Sequence, residues 1–502
     1  MENKNPFETV ESIILMLIIF LLFPVALFLT GTITSGWNLV DDHETVEIAR
    51  TYAMQKIPVM TAIKDYILVD LQYRFRPLYW VIRVLSAYTF KLNALVPHII
   101  LCMIAMAVYF FLYRFARLFT DKIWLAHLFT LIIMVGRQYE AWYRIANQEN
   151  MGMFLLAICL YCIARQNKEE NYDHKGYNFL FVFTAVGLAL TKESFLLLLP
   201  GLCVLKIACE GIRRNMPIKE WYRLAISHGV SLILLIGIFT VSIVFILKQI
   251  GTTFGGYAGV DTGGHELLWN LLKMPKQSLF PYVLLAAGIT ALGVLEIVRK
   301  SGEFSITTEK SVWILFCVYG MATQIVIYAK SGMWDRYLLP FTFFYAYIFI
   351  LIIGDFLNIN WTRNVFILVI TVFLISRAKW AFVNRAMDWG NEGKLIWQMI
   401  PYVTQNTEKS TGILAYLGAE ELDNSICEYL EFEDRKEGYI YVGGNCYDGY
   451  GEAKGNMASL SNMEVVITTP QKEAEIIETM KLDTSIWNRK QFGQEYVVLI
   501  EE

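Results

Sequence analysis

Long apolar runs separated by short polar segments dominate the first 380 residues. Each run is close to the roughly 20 residues that an α-helix needs to cross a bilayer. The pattern predicts a mainly α-helical, polytopic membrane protein with about 11 transmembrane helices. The first run is long and has no small-residue cleavage site, so we interpret it as an uncleaved helix. The predicted spans lie near 13–29, 95–116, 122–136, 151–165, 178–190, 194–210, 225–247, 279–298, 311–329, 337–354 and 364–380.

The pattern changes from about residue 391, where short apolar stretches alternate with amphipathic ones. This alternation of strand and helix patterns predicts a small C-terminal α/β domain. We therefore divide the chain into a membrane domain, 1–385, and a water-soluble domain, 386–502. The predicted strands are 413–417, 439–442, 464–468 and 495–500, and the predicted helices are 420–431 and 471–480.

A first long loop, 32–94, follows the first predicted span. It contains a short amphipathic pattern at 44–54 and a second one around Trp80 to Tyr88. The second stretch is too short and too charged to span a bilayer. We expect both to form helices, the second lying in the membrane interface.

Composition agrees with the membrane assignment: 56% of the residues are hydrophobic and only 18% are charged, against about 25% charged in soluble domains. The net charge of −3 conceals an asymmetry, because residues 381–502 contain 10 Lys/Arg and 21 Asp/Glu, which leaves about +8 on the first 380. The basic residues are spread among loops rather than gathered on one face, so we expect no nucleic-acid partner.

The distribution of Lys and Arg among the predicted loops gives an orientation. If the N-terminus is cytoplasmic, most of these residues fall in cytoplasmic loops, as the positive-inside rule requires. An odd number of spans then places the first loop and the C-terminal domain on the same, extracytoplasmic side of the plasma membrane.

The segment Asp41-Asp42-His43-Glu44 carries the most concentrated candidate chemistry, directly after the first span. At the rim of a cavity, neighbouring carboxyl groups and partial desolvation drive pKa values apart and can leave one carboxylate as a general base. The alternative is structural, since Asp before a helix is a good N-cap.

The predicted outer loops also collect ionisable and aromatic residues. Such residues at the edges of spans are costly unless they serve a pathway or a site. We therefore expect one cavity that opens outward. Its candidate lining residues are His43, Tyr79, Trp80, Arg137, Glu140, Glu193, His265 and Asp335.

The order of these features resembles the GT-C membrane glycosyltransferases, for example protein O-mannosyltransferases and lipid A aminoarabinose transferases. The shared features are one span, an acidic pair, a long loop with the element Arg76-Pro77-Leu78-Tyr79-Trp80, many further spans and an outer C-terminal domain. The resemblance implies a glycosyltransferase that moves a hexosyl or pentosyl group, with inversion, from a polyprenyl-phosphate donor. The acceptor would be a hydroxyl of a glycan, lipid or protein at the outer face, and membrane lipids would surround the enzyme.

The same resemblance implies catalytic roles for the acidic segment. The family pattern is Asp-Glu, whereas this chain has Asp-Asp-His-Glu. Asp41 is the first choice for the base because it comes first after the span. Asp42 is the second choice, and Glu44 would support them.

Four basic residues resemble ligands for the donor phosphate. Arg76 precedes Pro and aromatic residues, with Arg74 as its alternate, and a guanidinium offers a fork of donors to a phosphate. Lys192, in a Lys-Glu pair, and Arg336, before Tyr-Leu-Leu-Pro, complete the set. A self-satisfied local ion pair is the structural alternative for Lys192.

No cofactor is firmly predicted. Some members of the family need a divalent cation, so a Mg or Mn site that includes Asp42, His43 and His265 stays open, although the histidines have no ligand spacing that specifies a metal. Other function classes also stay open. A ligase or polymerase of lipid-linked glycans is chemically close. A flippase or transporter of lipid-linked sugars usually shows internal repeats with broken helices, which this sequence lacks.

Overall fold

The computed structural model describes residues 6–72, 74–135, 137–168, 175–250, 269, 308–331, 335–348, 369, 382–409, 411–433, 440–442, 445–447, 453–456 and 463–501. The described chain is mainly helical and ends in a small β-sheet. Two compact units are present. Unit 1 comprises Met1–Ala26, Asp65–Val81 and Leu101–Asn384, and unit 2 comprises Leu27–Lys64, Ile82–Ile100 and Arg385–Glu502. Each unit is made of three separate segments of the chain. The division into domains 1–385 and 386–502 therefore stays a prediction.

Among the described residues, helices occur at the predicted spans, and three helices, Val59–Asp70, Trp221–Ser227 and Asn384–Asn406, were not predicted. The helices are α1 (Pro6–Leu29), α2 (His43–Ile48), α3 (Val59–Asp70), α4 (Pro77–Phe90), α5 (Leu95–Arg117), α6 (Ile123–Val135), α7 (Glu149–Lys168), α8 (Lys175–Thr191), α9 (Glu193–Leu196), α10 (Leu199–Arg213), α11 (Trp221–Ser227), α12 (Gly229–Phe245), α13 (Thr308–Ser331), α14 (Leu339–Ala346) and α15 (Asn384–Asn406). A π-helical segment, Ala49–Ala53, extends α2, so the amphipathic stretch predicted at 44–54 is helical.

Four helical stretches in the described part of the chain are long and apolar enough to cross a membrane: Leu95–Arg117, Glu193–Arg213, Gly229–Lys248 and Thr308–Ile327. Shorter apolar helices lie at Ile13–Leu29, Ile123–Val135 and Lys175–Thr191. The predicted spans 279–298 and 364–380 lie outside the described residues. The polytopic membrane character is therefore supported, while the number of 11 helices stays a prediction.

In unit 1, helices α7, α8 and α10 pack side by side. The Cys159 thiol of α7 lies 3.1 Å from the Thr184 hydroxyl of α8, and Thr184 also donates to the Leu180 carbonyl within its own helix. These short, locally satisfied side chains let the helices approach closely. Helix α7 has Glu149 at its first residue and Gln166 near its last, so its two ends carry different polar groups.

Unit 2 contains a mixed sheet. Its elements are β1 (Gly412–Tyr416), α16 (Glu420–Phe432), β2 (Ile440–Val442), β3 (Asn445–Tyr447), β4 (Ala453–Asn456), β5 (Met463–Thr468), α17 (Pro470–Met480), β6 (Trp487–Phe492) and β7 (Tyr496–Glu501). The strand order is β4-β3-β2-β1-β5-β7-β6. β1 pairs in parallel with β2 and β5, and the other pairs are antiparallel. The four predicted strands and two predicted helices are present, and β3, β4 and β6 are additional.

Helix α15 packs against the backbone of the segment that follows α1, all within unit 2. The Thr32 hydroxyl donates to the Ala386 carbonyl at 3.2 Å. A Cβ atom on Gly390 would lie 2.6 Å from the Thr30 carbonyl oxygen, and one on Gly393 would lie 2.7 Å from the Ser35 carbonyl oxygen. Two glycines three residues apart thus create the flat helix face that this contact requires.

Candidate functional site

The acidic segment begins in an unusual backbone conformation. Val40 and Asp41 are consecutive non-glycine residues with φ of 58° and 65°. The Asp42 N–H donates to the Val40 carbonyl at 2.8 Å across this turn. A β-branched residue at positive φ is a true outlier, and such strain costs about 1–3 kcal/mol per residue and concentrates at functional sites. The conformation therefore marks Asp41 as a residue whose position is imposed by its surroundings.

Asp41 and Asp42, adjacent in sequence, differ in environment. Asp42 is 1% exposed, and its Oδ2 accepts the Asn38 N–H at 3.1 Å. Asp42 stands at the N-cap position of α2 without a capping side-chain hydrogen bond, so it closes the preceding turn instead. Asp41 is half-buried. The more accessible carboxylate is thus the one in the strained turn.

Helices α15 and α16, which precede and follow β1 in the chain, hold this turn. Asn38 donates through its side-chain amide to the Trp389 carbonyl at 2.8 Å and accepts a hydrogen bond from the buried Tyr429 hydroxyl at its own carbonyl. The Val40 N–H donates to the Ser425 hydroxyl at 3.1 Å. Residues about 350 to 390 positions away therefore fix the segment.

His43 and Glu44 have separate partners. The Nδ1 atom of His43 lies 2.9 Å from the Ser425 hydroxyl. Burial lowers the pKa of His43, against the opposing effect of Glu44, which favours the neutral imidazole. Glu44 forms an ion pair with Arg83 at 2.9 Å, and the Arg83 Nε donates to the Thr45 hydroxyl at 3.0 Å. Arg83 is 5% exposed and is a functional candidate that the sequence analysis missed.

Arg76, in unit 1, is enclosed by an acid and two rings. Its Nε lies 2.9 and 3.0 Å from the two Asp70 carboxylate oxygens, and its Nη2 lies 2.8 Å from one of them. Its guanidinium carbon lies 4.6 Å from the ring centre of Tyr79 and 5.3 Å from that of Trp80. Burial raises the pKa of Asp70, although Arg76 opposes this effect. The neighbouring Arg74 is half-buried, and its N–H donates to the Asp70 carbonyl at 2.7 Å.

Lys192 lies at the break between α8 and α9. Its Nζ atom is 2.6 Å from Glu149 Oε1 and 3.6 Å from the ring centre of Tyr337. Lys192 and Glu149 are each 2% exposed. The partner of Lys192 is thus Glu149, 43 residues away. Glu149 is a second candidate that the sequence analysis missed.

Glu193 joins the two regions of unit 1 that contain these cations. Its carboxylate accepts the Phe75 N–H, so the residue next to Arg76 contacts the residue next to Lys192. Arg336 is half-buried, and its guanidinium lies 5.4 Å from the Tyr337 ring centre. Its positive charge favours the ionised form of Glu149. We refer to Arg76, Lys192 and Arg336, with Asp70, Glu149, Glu193 and Tyr337, as the cation cluster.

Of the remaining predicted cavity residues, Arg137, Glu140 and Asp335 lie in two turns that contact each other. Glu140 lies in a 3₁₀ turn, Arg137–Trp142, that packs against the 3₁₀ turn Asp335–Leu338. Its Oε2 is 4.0 Å from Arg144 Nε. Arg137 and Asp335 belong to these two turns by their backbones. His265 lies outside the described residues.

No group of three or more His, Cys, Asp and Glu side chains suited to a metal ion occurs among the residues that the structure describes. Asp42 accepts a backbone hydrogen bond and His43 contacts Ser425. The Asp42 Oδ2 and His43 Nδ1 atoms, both possible metal ligands, take part in these contacts. A divalent cation bound by Asp42, His43 and His265 therefore stays a prediction, and no catalytic step below depends on it.

Comparison with protein-family models and with curated proteins finds no match. Among solved structures, the chain is similar to the crystal structure of ArnT from Cupriavidus metallidurans in the apo state. The match covers 96% of this chain and 97% of that one, with 11% sequence identity and a TM-score of 0.49. A similarity at this level carries no argument about activity, which rests on the residues described above.

Proposed function

We propose that this chain is a membrane glycosyltransferase of the GT-C type. It transfers a sugar from a polyprenyl-phosphate donor to an acceptor hydroxyl at the outer face of the plasma membrane. The donor brings an activated leaving group. The protein then has to supply a base for the acceptor proton, cations for the departing phosphate and an apolar surface for the lipid chain.

The observation that carries this proposal is the cation cluster. Arg76, Lys192 and Arg336 come from three distant parts of the sequence, and the Phe75–Glu193 and Lys192–Tyr337 contacts connect those parts. Buried cations held by acids and rings are pre-organised, so they stabilise developing charge without reorganisation. A phosphate that becomes more negative as it leaves is the kind of charge that such a cluster favours.

Asp41 is the proposed general base. Its carboxylate would take the proton of the acceptor hydroxyl as the acceptor oxygen attacks the anomeric carbon. The bond from that carbon to the phosphate oxygen breaks, and the electron pair leaves with the polyprenyl phosphate. One displacement of this kind inverts the anomeric centre. Burial and the hydrogen bond from Asn38 suit Asp42 to a positioning role.

The decisive experiment separates a phosphate ligand from a structural ion pair at Lys192. Lys192→Gln, Glu149→Gln and the double variant are assayed in purified full-length protein with a polyprenyl-phosphate-linked sugar. Removing one partner of a buried ion pair leaves the other charge without its counter-ion and destabilises the protein. The double variant removes both charges and so avoids this cost. We expect the double variant to fold normally and to raise the donor KM at least about tenfold, because a charge-assisted phosphate contact is lost.

Glu149→Gln alone keeps the Lys192 charge and should retain donor binding. Lys248→Gln, which changes an exposed lysine in the same unit, serves as the matched control. If the double variant has the donor KM of the unsubstituted protein, Lys192 belongs to a structural pair and the phosphate role is wrong. Movement of labelled lipid-linked sugar across vesicles without a new glycosidic bond would instead favour a flippase.

A further inference from the structure

A second polar site lies in unit 1, away from the cation cluster. It is a cavity of about 290 Å³ formed by the ends of α7, α8, α10 and α11. This volume is at the lower limit of ligand pockets, which start near ~300 Å³. The space suits a head-group-sized ligand rather than a large organic molecule. Its lining includes Gln166, Asn178, Lys206, Arg213, Ser227 and His228.

Lys206 is the central group of this cavity. It is 4% exposed, and its Nζ donates to Gln166 Oε1 at 2.7 Å and to Asn178 Oδ1 at 2.6 Å. Gln166 donates in turn to the same Asn178 oxygen at 2.9 Å. An ammonium group has three donors, and two neutral amide oxygens account for two of them. The amides therefore orient the positive charge, and no carboxylate among the described residues forms an ion pair with Lys206.

The carboxylate of the cavity is already neutralised by other groups. Glu210 lies 2.5 Å from Arg214 Nη2 and 2.6 Å from His228 Nε2. Nearby Glu309 accepts from Asn167 and Lys168 at 2.8 and 2.9 Å. Lys206, Arg213 and Arg214 against Glu210 leave the Lys, Arg and Glu side chains of the described lining with two excess positive charges. Of these cations Lys206 is buried, and an excess of positive charge around a buried ammonium group favours an anion.

The cavity lies at the opposite end of the same helices from the cation cluster. Glu149 and Gln166 are 17 residues apart on α7, which is about 25 Å at 1.5 Å per residue. Asn178 and Lys192 are separated by 14 residues along α8 and its end, about 21 Å. These lengths approach the ~30 Å thickness of a bilayer core. If these helices cross the membrane, the two sites face its opposite sides.

We propose that this cavity binds a phosphate group, with Lys206 as the central ligand and Arg213 as a further donor. Ammonium and guanidinium groups are donors that suit phosphate oxygens. The phosphate belongs either to a phospholipid head group from the adjoining leaflet or to a soluble ion. Both sources share the chemistry that the cavity recognises.

The test measures binding to the full-length protein in detergent. One arm adds phosphatidic acid or diacylglycerol, which differ in the phosphate, and counts bound lipid by native mass spectrometry. The other arm adds inorganic phosphate or chloride at equal ionic strength and measures binding by calorimetry. The cavity variants are Lys206→Gln, which removes the charge, and Asn178→Asp, which supplies a competing carboxylate beside an intact lysine. Arg223→Gln is the control, because Arg223 is exposed and lies outside the cavity.

We expect both cavity variants to weaken phosphate-dependent binding by about tenfold or more, as for lost charge-assisted hydrogen bonds, while Arg223→Gln binds like the unsubstituted protein. A response to phosphatidic acid alone identifies a lipid head group, and a response to inorganic phosphate identifies a soluble ligand. Asn178→Asp keeps an ion pair available to Lys206, so it reports on the site even if Lys206→Gln fails to fold. Binding that is absent, or equal in all variants, overturns the proposal.

Discussion

Asp41 and Asp42 differ in ways that only their surroundings reveal. The sequence offers two adjacent carboxylates and ranks Asp41 first only by its position after the span. In the fold, Asp42 is buried and accepts the Asn38 N–H, whereas Asp41 is half-buried in a turn with positive φ. The ranking of Asp41 over Asp42 now has a physical basis, although the catalytic role itself stays a prediction.

Substitution of these two residues should therefore have different consequences. We expect Asp41→Asn to lower kcat by about 100-fold or more, the usual contribution of a general base, with little change in apparent Tm. We expect Asp42→Asn to lower the free energy of unfolding by about 1–3 kcal/mol through the weakened buried hydrogen bond. Transfer assays and thermal unfolding of the purified variants measure both effects.

Glu47→Gln, also in the helical stretch after the acidic segment and half-buried, controls for loss of negative charge in this region. Full transfer activity in a folded Asp41→Asn protein would contradict the assignment of the base. Loss of activity in Asp42→Asn with unchanged stability would move the catalytic role to Asp42.

At the scale of secondary-structure elements, the contact between α15 and the segment after α1 depends on two glycines of α15. Helix periodicity alone gives no reason for Gly390 and Gly393, which weaken an isolated helix by about 1 kcal/mol each relative to Ala. The approach of the Thr30 and Ser35 carbonyls to these positions supplies the reason. The helix thereby anchors the chain just ahead of the acidic segment.

A methyl group at Gly390 should disturb this anchor. Its Cβ would lie 2.6 Å from a backbone oxygen, so either α15 or the Thr30 segment must shift. We expect Gly390→Ala to destabilise the protein by about 1–3 kcal/mol, the usual cost of overpacking, measured as a lower apparent Tm. Gly237→Ala is the matched control, because among the described residues no atom outside its own stretch of helix lies within 4 Å of an added Cβ. An equal response of the two variants would show that the contact contributes little.

At the scale of the whole molecule, the orientation in the membrane is a prediction that the loop charges make. With a cytoplasmic N-terminus, the C-terminal part of the chain is extracytoplasmic and the loop after α10 is cytoplasmic. Asn406→Cys and Lys219→Cys place thiols at exposed positions in these two parts.

A membrane-impermeant maleimide should label Asn406→Cys in intact cells and Lys219→Cys only after permeabilisation. The unsubstituted chain gives the background labelling, which includes any contribution from Cys446; the seven other cysteines are buried. The reverse pattern of labelling would invert the orientation and move the proposed reaction to the cytoplasmic face.

The sequence by itself determines the features that depend on local pattern. Apolar runs long enough to span a bilayer predict most of the described helices, since burying apolar surface in lipid requires a continuous hydrogen-bonded helix. Alternating patterns likewise predict β1, β2, β5 and β7 and the helices between them. Strands β3, β4 and β6 escape prediction because residues such as Asn445, Gly455 and Lys490 carry little strand signal on their own.

Only the tertiary structure decides which polar groups meet. The Lys-Glu pair at 192–193 suggests a local ion pair, yet Lys192 binds Glu149 and Glu193 accepts the Phe75 N–H. Ser425 and Tyr429 hold a turn that lies nearly 400 residues earlier in the chain. A buried charge or amide must find a partner wherever packing brings one, and the positions of such partners depend on how the helices pack rather than on their local sequence.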